Sequence, residues 1–204
     1  MSNEVDHKNI MTSLPKRRLV IGITGASGVI LGIRTLEILR DISDIETHLV
    51  LSQAAEKTIS HELDRTLKEV VSLADIHYNN QDIDSTIASG SYKTMGMIII
   101  PCSIKSLSAV ANAYANDLIS RAADVTLKEG RPLILVLRET PFHIGHIRLM
   151  NLAAKAGSII FPPIPSFYNR PKTINDIVDN FVGRVLERLG IENDKYLPWA
   201  GTGN

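Results

Sequence analysis

Three stretches of this chain are apolar at almost every position, and they limit its fold more than anything else in the sequence. They are "RLVIGIT" (18–24), "MGMIIIP" (95–101) and "PLILVLRE" (132–139). A strand with one face in water alternates apolar and polar residues, so unbroken β-rich runs predict strands covered on both faces. Segments of helical period lie between them. From Ser27 to Arg40, Ile30, Ile33, Leu36 and Ile38–Leu39 recur on one face. "ETHLVLS" (46–52) reads as a further strand, with a helix from Gln53. "IKSLSAVANAY" and "NDLISRAADVTLKEG" read as helices, the second stopped by Gly130. "HIRLMNLAAKAG" is a helix, "SIIFPP" a short strand, and "TINDIVDNFVGRVLERLG" (173–190) an amphipathic helix with Thr173 as N-cap. Pro101 is expected to end the 95–101 strand. This alternation predicts one doubly wound, mostly parallel α/β sheet with right-handed crossovers, a three-layer sandwich.

At 204 residues the chain suits a single domain. Residues 1–17 read as a disordered tail, 18–190 as the domain, and 191–204 as a C-terminal tail closing over the site. Acids and bases balance at 22 each, so no global field attracts nucleic acid or an anionic membrane. No apolar run approaches the roughly 20 residues that span a bilayer, and the first residues lack the apolar core of a secretory signal. The single cysteine, Cys102, excludes an internal disulfide, reads as a buried apolar residue and fits a reducing cytoplasm. The six histidines show no metal-binding spacing, so no metal is expected.

Ligands of such sheets bind beyond the carboxyl ends of the strands. There the sequence places Gly25-Ala26-Ser27-Gly28, Ser52, the run Cys102-Ser103-Ile104-Lys105-Ser106, and Arg138-Glu139. Small residues and hydroxyls suit a flat, phosphate-bearing ligand whose charge meets a helix N-terminus. Each has a plainer reading. Ser27 is a good N-cap, Arg138-Glu139 could be a structural ion pair, and Glu62, Lys128 and Arg184 could be solvated helix faces. "GITGAS" lacks the G-x-G-x-x-G interval, which disfavours a nicotinamide site. "IASGSYKTMG" (87–96) adds a second hydroxyl-rich loop.

Taken in order, "GITGASG", "PCSIKSLSAVANAYANDLISRAADVTLKEGRPLILVLRETP", "FPPIPSFYNRP" and "LPWAG" resemble the flavin prenyltransferase (UbiX-like) family, over about residues 18–200. The resemblance implies a flavodoxin-like fold, a homododecamer with sites between subunits, and transfer of dimethylallyl from its monophosphate to reduced FMN. The product, prenylated FMN, serves UbiD-like decarboxylases in ubiquinone synthesis or aromatic acid decarboxylation. It also implies that FMN meets Gly25, Ala26, Ser27, Ser52, Ser103, Ile104, Lys105, Ser106 and Arg138. The donor phosphate would meet Ser89, Gly90, Tyr168 and Arg184, with Arg121 and Lys128 from a neighbouring subunit. Glu62 and Glu139 match acidic residues of the site, and Trp199 an aromatic that closes over it. This chain has Ser106 where threonine is frequent and Gly130 where arginine is common.

The residue chemistry agrees. Allylic C–O cleavage needs cations on the departing phosphate and an electron-rich shield against water, which Lys128, Arg184 and Trp199 supply. Ring closure needs proton transfer, for which Glu139 and the released phosphate are the expected partners, with Ser27 orienting flavin N5. Two other readings stay open: a flavin-dependent cysteine decarboxylase, although "NLAAKAG" near residue 151 shows no Met- and Asn-rich clamp, and a non-catalytic FMN-binding subunit.

Overall fold

The computed structural model describes residues 15–199 and 201, so the expectations for residues 1–14, 200 and 202–204 lie outside the described residues. The strands are β1 (Arg17–Ile23), β2 (Ile45–Leu51), β3 (Ile76–Asn79), β4 (Gly96–Cys102), β5 (Leu133–Leu137) and β6 (Ile159–Ile160). They form one parallel sheet in the order β3-β2-β1-β4-β5-β6. The chain winds outward from β1, returns to its side, and winds outward the other way from β4. Without the short edge strand β3, this is the 2-1-3-4-5 order of flavodoxin-like folds.

One face of the sheet is covered by α1 (Val29–Arg40), α2 (Gln53–Glu62), α3 (Leu67–Val71) and α7 (Ile174–Glu187). The other carries α4 (Ile104–Ala111), α5 (Leu118–Lys128) and α6 (Ile144–Lys155). Ile98 and Ile100 of β4 pack into the first core, and Met97 and Ile99 into the second. Both faces are dry, which is why the strand is apolar at every position. Burying each such side chain contributes about 1.5–3 kcal/mol.

Local signals held at several ends. Thr173 Oγ1 accepts from Asp176 N at 3.1 Å, and the Asp176 carboxylate accepts from Thr173 N at 3.0 Å, a capping box. α5 ends in a Schellman turn: Gly130 N donates to Leu127 O and Arg131 N to Thr126 O, both at 2.9 Å. Gly130 has φ 65°, a conformation that explains glycine here in place of a side chain. One end was misjudged, because β4 continues through Pro101 to Cys102. The β4–β5 register shifts between Ile99 and Cys102, so the missing N–H falls where the ladder is already irregular. Cys102 is buried as expected, and burial pushes its thiol up to about 12. No described helix is long and apolar enough to cross a membrane.

α3 and β3 are elements the sequence reading lacks. β3 is anchored through His48 of β2, whose buried ring meets the Tyr78 hydroxyl at 3.0 Å and Glu46 at 2.9 Å. The Tyr78 hydroxyl in turn meets Thr86 Oγ1 at 3.0 Å. Burial holds the imidazole below its ordinary value, against the opposite pull of Glu46.

Two outcomes follow. Gly130→Ala lowers the urea midpoint by the equivalent of about 1 kcal/mol, because alanine is strained at positive φ. Folded His48 takes up a proton only at a lower pH than in the unfolded chain, which does so below pH about 6.5. The His48 contribution is therefore complete above that pH and declines as pH falls below it. Urea midpoints at pH about 7.5 and about 5.5 should fall further for the native chain than for His48→Gln.

Candidate functional site

The winding reverses between β1 and β4, so a crevice opens at their carboxyl ends. Its lip is built by Thr24, which is 1% exposed. The Thr24 hydroxyl donates to Pro101 O at 2.8 Å and accepts from Ser103 N at 2.8 Å. Ser52 N donates to Ile23 O at 3.0 Å, so the ends of β1, β2 and β4 are tied together. Gly25 then crosses the start of α2 so closely that a Cβ would collide with the Cβ of Ala54.

Three helices begin on the wall of this crevice. Ser52 Oγ caps α2 by accepting from Ala55 N at 3.1 Å, and Ser103 Oγ caps α4 by accepting from Ser106 N at 3.3 Å. Asp117 caps α5, accepting from Ser120 N at 2.9 Å. Between them lies a cleft of about 400 Å³ lined by Thr24, Gly25, Asn80, Lys105 and these caps. Helix N-termini and Lys105 make it a site for an anion, and the carboxylate of Asp117 is occupied by its own cap.

The N-terminus of α1 is arranged differently. Its N-cap is Gly28, which makes no side-chain cap, and the Glu62 carboxylate accepts from Gly28 N at 2.8 Å and Val29 N at 3.2 Å. The N-cap reading of Ser27 is therefore wrong: Glu62 fills that role and leaves Ser27 exposed. Ser27 borders an apolar cleft of about 240 Å³ formed with Leu31, Arg138, Pro163, Pro165 and Phe181. The Gly25–Gly28 loop thus separates a polar cleft from an apolar one. That pair fits a ligand with a phosphate at one end and a flat ring at the other, as in FMN.

Arg138 and Glu139 follow β5 and make no ion pair with each other among the described residues. The Glu139 carboxylate accepts from its neighbour Thr140 N at 2.9 Å. The structural ion pair is thus excluded, and both charges remain available.

The other expected residues form two further groups. Ser89 and Gly90 lie in a turn after the short 3-10 helix Thr86–Ala88, beside Arg121, whose Nε donates to Ala88 O at 3.2 Å. Lys128 pairs with Glu129 at 3.0 Å against the same turn. Within this chain, then, Arg121 and Lys128 accompany the Ser89–Gly90 turn. The second group is Tyr168, Arg184 and Trp199. The Tyr168 hydroxyl donates to Leu197 O at 2.8 Å, and its ring meets Trp199 edge-on at 5.6 Å. Arg184 pairs with Glu187 and lies 5.2 Å from the Tyr196 ring. The Tyr196 hydroxyl pushes the Tyr168 phenol above its ordinary value, so Tyr168 keeps its proton as a donor. Among the described residues, no hydrogen bond or ion pair joins these two groups.

Asn80, Thr24 and Arg131 are absent from the sequence reading. Asn80 Oδ1 accepts from Ile119 N at 3.0 Å and holds the start of α5 against the cleft. Its signal was the polar, alternating "IHYN" just before it, the mark of an exposed edge strand.

Comparison with known proteins follows this geometry. The flavoprotein family model matches residues 7–186. The flavin prenyltransferase UbiX of Escherichia coli (strain K12) is 52% identical over 187 residues, 91% of this chain and 99% of the relative. The structure of AnUbiX in complex with FMN and dimethylallyl pyrophosphate has TM-score 0.90 at 44% identity, covering 92% of this chain and 100% of that one. A dodecameric FMN-dependent UbiX-like decarboxylase from Escherichia coli O157:H7 has TM-score 0.88 at 45% identity, covering 90% and 100%. With half its residues shared over nearly the whole of such a relative, and with a family model that matches most of its length, the chain belongs to the UbiX flavin prenyltransferase family of flavoproteins.

Proposed function

We propose that this protein transfers dimethylallyl from dimethylallyl monophosphate to N5 and C6 of reduced FMN, releasing phosphate and closing a fourth ring. The observation that carries this reading is the near full-length identity to a flavin prenyltransferase. The cleft walled by three helix N-termini supports it. The cysteine decarboxylase and non-catalytic readings are not favoured, since the relative at 52% identity is a prenyltransferase.

Reduced FMN, when bound, supplies the nucleophilic positions of the reaction. Ser52, Ser103 and Ser106, with Lys105, would hold its phosphate end, and Gly25, Ala26, Ser27, Ile104 and Arg138 its ring end. Ser27, released from capping by Glu62, is free to orient N5. Arg121, Lys128 and Arg184 stabilise the charge that develops on the departing phosphate, and the Tyr168 hydroxyl turns from Leu197 O to donate a hydrogen bond to it. Trp199 shields the allylic carbons from water. Glu139, a carboxylate with no cation attached, takes the proton lost at C6, and the released phosphate returns one to the alkene.

No hydrogen bond or ion pair joins the two donor-phosphate groups among the described residues, and we assign their meeting to neighbouring subunits of a dodecamer, the assembly of the E. coli O157:H7 relative. The product would pass to a UbiD-like decarboxylase. The lone buried Cys102 suits a reducing compartment, and we place the protein in the cytoplasm.

Anaerobic incubation with reduced FMN and dimethylallyl monophosphate, followed by mass spectrometry of the released flavin, tests the activity. A gain of one C5H8 unit is the expected result, and unchanged FMN overturns the assignment. Dimethylallyl diphosphate in parallel identifies the preferred donor. Glu139→Gln should bind FMN normally and slow ring closure by at least about 100-fold; full activity in that variant removes Glu139 from the mechanism.

A further inference from the structure

The Ser89–Tyr92 turn, assigned above to the donor phosphate, has little regular structure to hold it. Ser89 N donates to Thr86 O at 3.1 Å and Tyr92 N to Ser89 O at 3.2 Å, and the chain next joins the sheet margin where Met95 N donates to Arg18 O at 2.8 Å. Among the described residues, the amides of Gly90 and Ser91 meet no acceptor. The Ser89 and Ser91 hydroxyls lie 2.9 Å apart.

The C-terminal end of α5 supplies the missing support. Arg131 Nη2 donates to Gly90 O at 2.7 Å, and Nη1 donates to Tyr92 O at 2.9 Å and Thr94 Oγ1 at 3.3 Å. One planar guanidinium thus gathers two carbonyls and a hydroxyl, a geometry that lysine cannot reproduce. In a trans peptide the C=O of one residue and the N–H of the next point in opposite directions. Drawing the Gly90 carbonyl onto Arg131 therefore turns the Ser91 amide outward. Arg131 is aimed by the Schellman turn at Gly130, and the adjoining Glu129 presses on Gly90, where a Cβ would collide with its carboxylate. Glu129 also holds Lys128 at 3.0 Å, so the lysine and the turn share one support.

We propose that Arg131 is a positioning residue for prenyl transfer. It shapes the Ser89–Tyr92 turn so that free amides and paired hydroxyls face the phosphate of the allylic donor, without touching the substrate itself. The proposal rests on the assignment of the donor phosphate to this turn.

Arg131→Lys and Arg131→Met separate this role from a merely structural one. With reduced FMN saturating and dimethylallyl monophosphate varied, KM for the donor should rise about tenfold in Arg131→Met, the loss of roughly one such hydrogen bond to a charged group. It should rise less in Arg131→Lys. Binding of reduced FMN, assembly size and kcat should stay near those of the native protein. An unchanged KM, or a loss of FMN binding in step with activity, overturns the proposal. Amide hydrogen exchange of residues 89–92 with inorganic phosphate as probe gives a readout independent of turnover. Phosphate should slow that exchange in the native protein and fail to do so in Arg131→Met; equal protection in both overturns the proposal. If the native protein consumes no donor yet shows Arg131-dependent protection, the prenyltransferase reading falls and the positioning role stands.

Discussion

The functional end of this molecule depends on one buried hydroxyl. The Thr24 hydroxyl donates to Pro101 O in β4 and accepts from Ser103 N just beyond it, so it ties the end of β1 to the end of β4 at the reversal of the sheet. A buried polar group left without its partner costs about 1–3 kcal/mol, and here the cost would fall on Ser103 N, since Pro101 O also accepts from Thr24 N at 3.2 Å. More than stability is at stake. Thr24 ties the start of the Gly25–Gly28 loop to the residue that caps α4, and all of these line the polar cleft.

The helix termini around the reversal are divided between two uses. Those of α2, α4 and α5 are closed by short caps whose side chains line the cleft, leaving their dipoles directed at a bound anion. That of α1 is filled from outside by Glu62, the last residue of α2. The Glu62 carboxylate takes up the amides of Gly28 and Val29, so they are not offered to an anion beside Ser27. The Gly25–Gly28 loop borders both clefts, with Gly25 on the polar one and Ser27 and Gly28 on the apolar one.

This division explains what the sequence could convey. The two-faced strands were legible because each residue in them is buried, and burial is written in residue type. β3 and α3 were not, since a half-exposed edge strand and a five-residue helix carry little apolar signal. Hydroxyls and glycines at strand ends were legible as neighbours, because α/β topology alone directs those positions to one edge, and Gly25, Ser52, Ser103 and Ser106 line one cleft there. The role of Ser27 was illegible, because the group that caps α1 comes from a residue 34 positions away. Arg131 was hidden for the same reason: its acceptors lie up to 41 positions upstream, and locally it is only a charge after a glycine.

Positions 130 and 131 also resolve the departure from the family pattern. A Cβ at Gly130 would meet nothing within 4 Å, so a side chain there has room. What the position demands is φ 65°, which an arginine adopts only under strain and glycine adopts freely. The backbone conformation it secures is the one that delivers Arg131 to the carbonyls of Gly90 and Tyr92. Of two neighbouring basic positions, the fold can surrender the one that only turns the chain and must keep the one whose fork holds the turn.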